Sequence, residues 1–373
     1  MKQDYKILGN YIRLVDKRNK DLSITNLLGV SINKKFIPSI ANIVGTDLSN
    51  YKIVRMGQFA YGPVTSRNGE KISIAYLDSD DCIISSSYIV FEVNNRNELD
   101  PEYLMLWFSR PEFDRYARYK SHGSVREIFD WNELCMTKLP VSSIQEQRSI
   151  VKAYKTITDR IALKQKINDN LDATAQAYFN SLFFPAAESN CTLADVAEVN
   201  PARLLKKGEE ARYFDMSTLP TRGCIPTGNE IKPYNGGVRF TNGDTLIARI
   251  TPCLENGKAA YINLLEDGEV AFGSTEYIVF AAKDTMPSSF YYFLIRNIHF
   301  VTFALQFMNG SSGRQRISGE ELASFPLVKP SAEHLKAFDK VGSMVLTKMK
   351  ENTNEILKLK SLQETITATL SSR

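Results

Sequence analysis

The chain has 373 residues, of which 43% are hydrophobic and 24% charged, and a formal net charge of +4. That length suggests two or three domains, and that composition excludes a disordered or fibrous chain. No apolar run reaches the ~18–20 residues that span a bilayer, and the charge alone neither requires nor excludes a polyanion partner. In chain order, the start MKQDYKILGN lacks the apolar core of a secretory signal. Strands are predicted over Tyr51–Val54, Gln58–Tyr61, Ile72–Leu77 and Ser85–Val93, runs rich in β-branched and aromatic residues. Asn68-Gly69 lies between two of them as a hairpin-turn signal. Asp100 and Pro101 read as N-cap and first residue of a helix with Leu104, Trp107 and Phe108 on its apolar, core-facing stripe. After Pro140 comes a long helix opened by Ser143-Ile-Gln-Glu146, a capping-box pattern. Strands follow over Asp244–Ile250, Lys258–Asn263 and Ser274–Ala281, then a helix over Pro287–Ile298. A second long helix begins near Ser331.

The two halves repeat one another. Leu8–Ile12 answers Leu193–Ala197, 185 positions on, and the Asn-Gly pairs at 68 and 256 are 188 apart. Tyr88-Ile-Val-Phe91 recurs as Tyr277-Ile-Val-Phe280, Gly123-Ser124 as Gly310-Ser311, and Leu139-Pro140 as Phe325-Pro326. Five matches in order at nearly constant offset define an internal duplication. Each half holds a mixed region of about 140 residues and then a helix.

The helices carry a 4-3 apolar rhythm. The first series is Ile150, Tyr154, Ile157, Ile161, Lys164, Asn168, Leu171, Ala175, Tyr178 and Leu182. The second is Phe338, Gly342, Val345, Met349, Asn352, Ile356, Leu359, Gln363, Ile366 and Leu370, each 188 beyond its counterpart. Sustained heptads imply a coiled-coil seam, and about 40 residues make a rod of about 60 Å. An antiparallel pair that sets Ile150 level with Leu370 sets Asn168 level with Asn352, a polar pair able to fix register. Tyr178, Phe179, Phe183 and Phe184 read either as packing against a head or as a partner surface. The expected fold is α+β: two similar globular domains joined by two long antiparallel coiled-coil helices with a pseudo-two-fold repeat. The expected divisions are 1–141, 142–184, 185–329 and 330–373. Two heads at fixed separation suit a repetitive polymer such as DNA, with half-site centres between one and two turns apart.

Signatures of catalysis are missing. There is no GxxxxGK[ST] loop, GxSxG or HExxH. Asn200-Pro201 continues with Ala-Arg, unlike the Asn-Pro-Pro-aromatic motif of adenine methyltransferases, and no Pro-Asp pair begins a nuclease metal site. The cysteines Cys82, Cys135, Cys191, Cys224 and Cys253 are odd in number and none are spaced as CxxC. They point to a reduced, cytoplasmic protein without zinc. His122, His299 and His334 read as structural or surface residues. A non-catalytic chain is expected.

Three stretches carry a resemblance. They are Gly123-Ser-Val-Arg126 continuing to Leu139-Pro140 and Gln145-Glu-Gln147, then Thr251-Pro-Cys-Leu-Glu-Asn-Gly-Lys258, and Asn170–Phe183. With the duplication and paired heptads, the whole chain resembles the specificity subunit of type I restriction-modification systems. Ser331-Ala-Glu-His334 departs from the family's Glu-Gln pattern at the second helix start. The resemblance implies target recognition domains that each read half of a split asymmetric site in double-stranded DNA. It implies helices that set the spacing and dock two methyltransferase subunits, and a further restriction or motor subunit in the full complex. S-adenosylmethionine and ATP are expected on those partners, and no cofactor or metal on this chain.

Neither head is strongly basic: residues 1–141 hold 19 Lys/Arg against 17 Asp/Glu, and 185–329 hold 14 against 16. DNA contact must therefore come from local patches. The candidates in the first head are Thr65, Ser66, Arg67, Asn68 and Lys71 of the hairpin, with Lys120, Ser121, Ser124 and Arg126 of the Gly-Ser loop. In the second they are Arg249, Thr251, Asn256 and Lys258, with Ser312, Arg314, Gln315 and Arg316. Both Asn-Gly pairs also read as plain turn residues. Two other readings stay open: a stand-alone two-headed DNA-binding regulator, and a structural coiled-coil adaptor that leaves the strand-rich heads unexplained.

Overall fold

The computed structural model describes residues 5–39, 45–66, 68–123, 126–185, 188–311 and 313–372, with 371 and 372 described by backbone alone. The chain forms two compact units, Met1–Asp159 with Lys360–Arg373, and Arg160–Leu359. Each unit joins one head to the helix segments packed on it.

The first unit is built on a four-stranded antiparallel sheet in the order Ile12–Val15, Ile89–Val93, Phe59–Tyr61, Ile74–Tyr76. Phe59 and Phe91 meet across it at 4.9 Å between ring centres. The helix Pro101–Phe108 covers the sheet. Its start is set by Asp100, whose carboxylate accepts from the backbone N–H of Glu102 and Tyr103 at 2.8 and 3.1 Å. Tyr103, Leu104, Trp107 and Phe108 are all buried, each worth about 1.5–3 kcal/mol of apolar burial. A second layer pairs Lys52–Val54 with Cys82–Ile84 and Leu28–Val30 with Phe36–Pro38, the two linked by a parallel bridge from Leu27 to Ile83.

The second unit repeats this plan. Ala197–Val199, Tyr277–Ala282, Thr245–Ala248 and Ala259–Tyr261 form a sheet of the same order. Its second sheet runs Glu230–Pro233, Glu210–Phe214, Ala271–Gly273, Val238–Phe240. The parallel pairing of Tyr213 with Phe272 there stands where Leu27 bridges Ile83 in the first unit. The duplication thus extends through both layers.

Several elements differ from the sequence reading. The strand expected from Ser85 begins at Ile89, because Tyr88 N–H turns back to the Ser85 carbonyl at 3.1 Å. Asn68-Gly69 does not close a two-residue hairpin; it lies within the long connection between Tyr61 and Ile74. The helix expected over Pro287–Ile298 is Ser289–Arg296, and a new helix, Ile298–Gln306, starts where Asn297 accepts from the N–H of His299 at 2.8 Å.

The long helices are Ile144–Phe183 and Ala332–Ser372. Ser143 Oγ accepts from Glu146 N–H at 3.3 Å, and Ser331 Oγ from His334 N–H at 3.1 Å. Every predicted seam residue is buried or half-buried. The pairing is antiparallel in each unit: Gln363 Nε2 donates to Thr158 Oγ1 at 2.7 Å in the first, and Asn168 meets Asn352 in the second. Leu370 joins the first head's core beside Ile150 and Tyr154. Phe179 and Phe183 pack on Phe290 at 5.1 and 5.0 Å, so the aromatic cluster belongs to the second head's core. Gln147, fully buried, accepts from Asp100 N–H and donates to the carbonyls of Glu98 and Ser142, all at 2.8–2.9 Å. The corresponding residue of the second helix is Leu335, also buried.

Candidate nucleic-acid interface

The Gly-Ser loop of each unit closes on itself and then straps to the segment leaving the central sheet. In the first unit His122 and Ile128 exchange backbone hydrogen bonds at 3.1 and 2.9 Å, while Thr65 N–H reaches Glu127 and Phe129 N–H reaches Pro63. In the second, Asn309 and Arg316 exchange bonds at 2.9 and 2.8 Å, Thr251 N–H reaches Gln315, and Ile317 N–H reaches Arg249. Three chains thus form the same base twice, held by main-chain bonds. Gly123 and Gly310 begin the loops at φ 138° and 132°. A Cβ on Gly123 would lie 2.1 Å from the Arg126 carbonyl oxygen, and one on Gly310 3.1 Å from that of Arg314.

This geometry sorts the expected contacts. Thr65, Ser121 and Thr251, expected on the DNA face, are buried here. Thr65 Oγ1 donates to Ser121 Oγ at 2.9 Å, and Ser121 Oγ to the Ala117 carbonyl at 2.7 Å. Thr251 Oγ1 accepts from Gln315 N–H at 3.0 Å. These hydroxyls hold the loop bases together. Lys258 Nζ donates to the Met216 carbonyl at 2.7 Å, and Lys120 Nζ stands 3.4 Å from Glu133, so both turn toward the protein. Asn68 Nδ2 folds back to the Val64 carbonyl at 3.3 Å, and Gly69 and Gly257 both take positive φ, as turn residues do. Ser66, Lys71, Arg126, Asn256 and Arg314 are exposed, and Arg249 and Gln315 half-buried. Arg316 is exposed but paired with Glu276. Arg67, Ser124 and Ser312 lie outside the described residues.

A third loop adjoins each base and was missed. It is Ser85–Tyr88 in the first unit and Ser274–Tyr277 in the second, at the sheet end where Tyr61 and Ala248 leave their strands. Arg249 N–H donates to the Glu276 carbonyl at 2.9 Å, joining this loop to the base. Ser86, Ser87 and Thr275 are exposed. The signal was available, since these residues directly precede the repeated Tyr-Ile-Val-Phe run.

Among the described residues no group of three or more His, Cys, Asp or Glu could hold a metal, and no helix is long and apolar enough to cross a membrane.

Residues 33–173 match the family described as type I restriction modification DNA specificity domain. The chain is 28% identical over 189 residues to the type I restriction enzyme EcoEI specificity subunit of Escherichia coli, covering 48% of this chain and 32% of that one. It is 31% identical over 132 residues to the EcoAI specificity subunit of the same organism, covering 34% and 22%. The chain thus spans about a third or less of the length of these two relatives. The crystal structure of a type I restriction-modification system S subunit from M. genitalium shares the fold, with a TM-score of 0.61 at 14% identity over 99% of this chain and 96% of that one. Residues 33–173 thus carry a domain of that specificity-domain family, and the chain as a whole shares the fold of the M. genitalium S subunit.

Proposed function

We propose that the chain gives sequence specificity to a DNA-modifying complex and catalyses nothing itself. Each unit would read one half of a split, asymmetric duplex site through its three loops. The observation that carries this reading is that one loop base occurs twice, in a chain whose residues 33–173 match a DNA specificity domain. The exposed Arg126 and Arg314 would supply phosphate contacts, and Ser66, Ser86, Thr275 and Asn256 are of the types that read base edges. The long helices would dock two methyltransferase subunits carrying S-adenosylmethionine, and a restriction subunit using ATP would complete the assembly. The test is co-expression with a methyltransferase encoded beside this chain, followed by sequencing of methylated adenines in the host. A split methylated motif that vanishes when the chain is deleted is the expected result. A stable complex that leaves no such motif would overturn the reading.

A further inference from the structure

The second unit's loop base carries an ion pair, Glu276–Arg316, at positions where the first unit has no charged residues; the first unit's own pair there is Arg118–Glu127. Arg316 Nε donates to both carboxylate oxygens of Glu276 at 3.0 Å, and its Nη2 donates to Oε1 at 2.7 Å. The aligned positions of the first unit are Ile128 and Ser87. Both partners are fixed by the main chain. Arg316 bridges to Asn309 and Ile250, and the Glu276 carbonyl accepts from Arg249 N–H. Asn309 is in turn held by Glu321, whose Oε1 accepts from its Nδ2 at 3.1 Å.

The hydrogen bonds from Arg316, with the nearby Arg249 charge, hold the Glu276 carboxyl below its usual range against the opposing effect of burial. Arg249 Nε is buried and has no hydrogen-bond partner among the described residues. The Glu276 carboxylate is therefore paired with Arg316 and feels the charge of Arg249, beside the loop that presents Arg314. Its forked contact with Arg316 is the geometry in which a guanidinium also grips a phosphate.

We propose that Glu276 is a specificity-determining residue that occupies Arg316 in place of a DNA phosphate, weakening attachment to duplexes that cannot displace it. This rests on the DNA-binding reading above. A backbone phosphate on any sequence must compete with Glu276 for Arg316, so non-specific binding loses one contact. The first unit has serine and isoleucine at these places, and the carboxylate of its loop base, Glu127, pairs instead with Arg118 of the preceding helix.

The test uses the full chain and a random-sequence duplex of about 30 base pairs, titrated by fluorescence anisotropy between 50 and 200 mM salt. Glu276→Gln is expected to bind on the order of tenfold more tightly than wild type at 50 mM salt, with a slope of log K against log salt steeper by about 0.9. The gain disappears when Arg316→Ala is added. Glu276→Ser, which installs the first unit's residue, gives a second route should the glutamine variant fail to fold. Binding by wild type with no change in either Glu276 variant overturns the inference and leaves the DNA-binding reading standing. So does a gain that survives Arg316→Ala. No duplex binding by any form removes that reading and the inference together.

Discussion

The carboxamides of Asn168 and Asn352 meet inside the helix pair, Asn352 Nδ2 donating to Asn168 Oδ1 at 2.8 Å, with both residues buried. Lys164 Nζ also donates to Asn352 Oδ1 at 3.0 Å, and its other partner, Glu355, also pairs with Arg160. Asn352→Leu alone strands a buried amide and is expected to lower stability by about 1–3 kcal/mol in urea titrations. Replacing both asparagines by leucine should recover most of that loss. Cysteines placed at 168 and 352 should close a disulfide under mild oxidation; failure to close would overturn the register.

Gln147 makes three hydrogen bonds with no exposed surface, tying the first long helix to Glu98 and Asp100. Gln147→Ala leaves two carbonyls and an N–H unsatisfied. We expect about 2–3 kcal/mol of destabilisation by denaturant midpoint, with helix content by circular dichroism unchanged.

The loop residues divide into anchors and contacts, and two kinds of substitution separate them. Arg126→Ala and Arg314→Ala should weaken duplex binding, each reducing the salt slope by about 0.9, with the thermal midpoint unmoved. Thr65→Val and Thr251→Val should lower the thermal midpoint by an amount equivalent to about 1–2 kcal/mol, because they remove buried hydrogen bonds. A stability loss from the arginine variants would contradict this division.

Gly123→Ala should be more damaging than Gly310→Ala. Both force a side chain into positive φ, at a cost of about 1–3 kcal/mol. Only at 123 does the new Cβ come within 2.1 Å of a carbonyl oxygen, against 3.1 Å at 310. Equal thermal midpoints for the two variants would refute the ranking.

Asp172, on the first long helix, provides a pH signature. Burial raises its carboxyl above the usual value of 3.8, with Arg296 opposing, and Oδ1 has no hydrogen-bond partner among the described residues. A carboxyl raised in the folded state binds its proton more tightly there than in the unfolded chain. Ionisation therefore costs stability: not at all well below pH 3.8, and fully once the pH exceeds the raised folded value. Asp172→Asn should raise the thermal midpoint at pH 7, and the difference should vanish as the pH falls below 3.8.

The seam was legible because a heptad needs only residue type and spacing, and Asn168 with Asn352 followed from counting along two helices. The helix at Pro101 was legible because Asp and Pro state the cap locally. The second sheet of each head was not, because Leu28–Val30 and Phe36–Pro38 are only three residues long and pair with each other, while Glu210–Phe214 gains its parallel partner, Ala271–Gly273, from far along the chain. The same holds at the candidate site. Gly123 and Gly310 marked the loops, but the burial of Thr65 and Thr251 depends on contacts about 60 residues distant. The Glu276–Arg316 pair, 40 residues apart, left no mark in local pattern.

The loop bases are joined mainly by backbone N–H and carbonyl groups. Main-chain bonds are indifferent to which side chain leaves the Cα. The positions standing outward from the base, such as 66, 126, 256 and 314, can therefore change identity while the frame beneath them keeps its shape. A library randomised at those four codons should yield mostly folded chains, so that altered selectivity can be sought without first repairing stability.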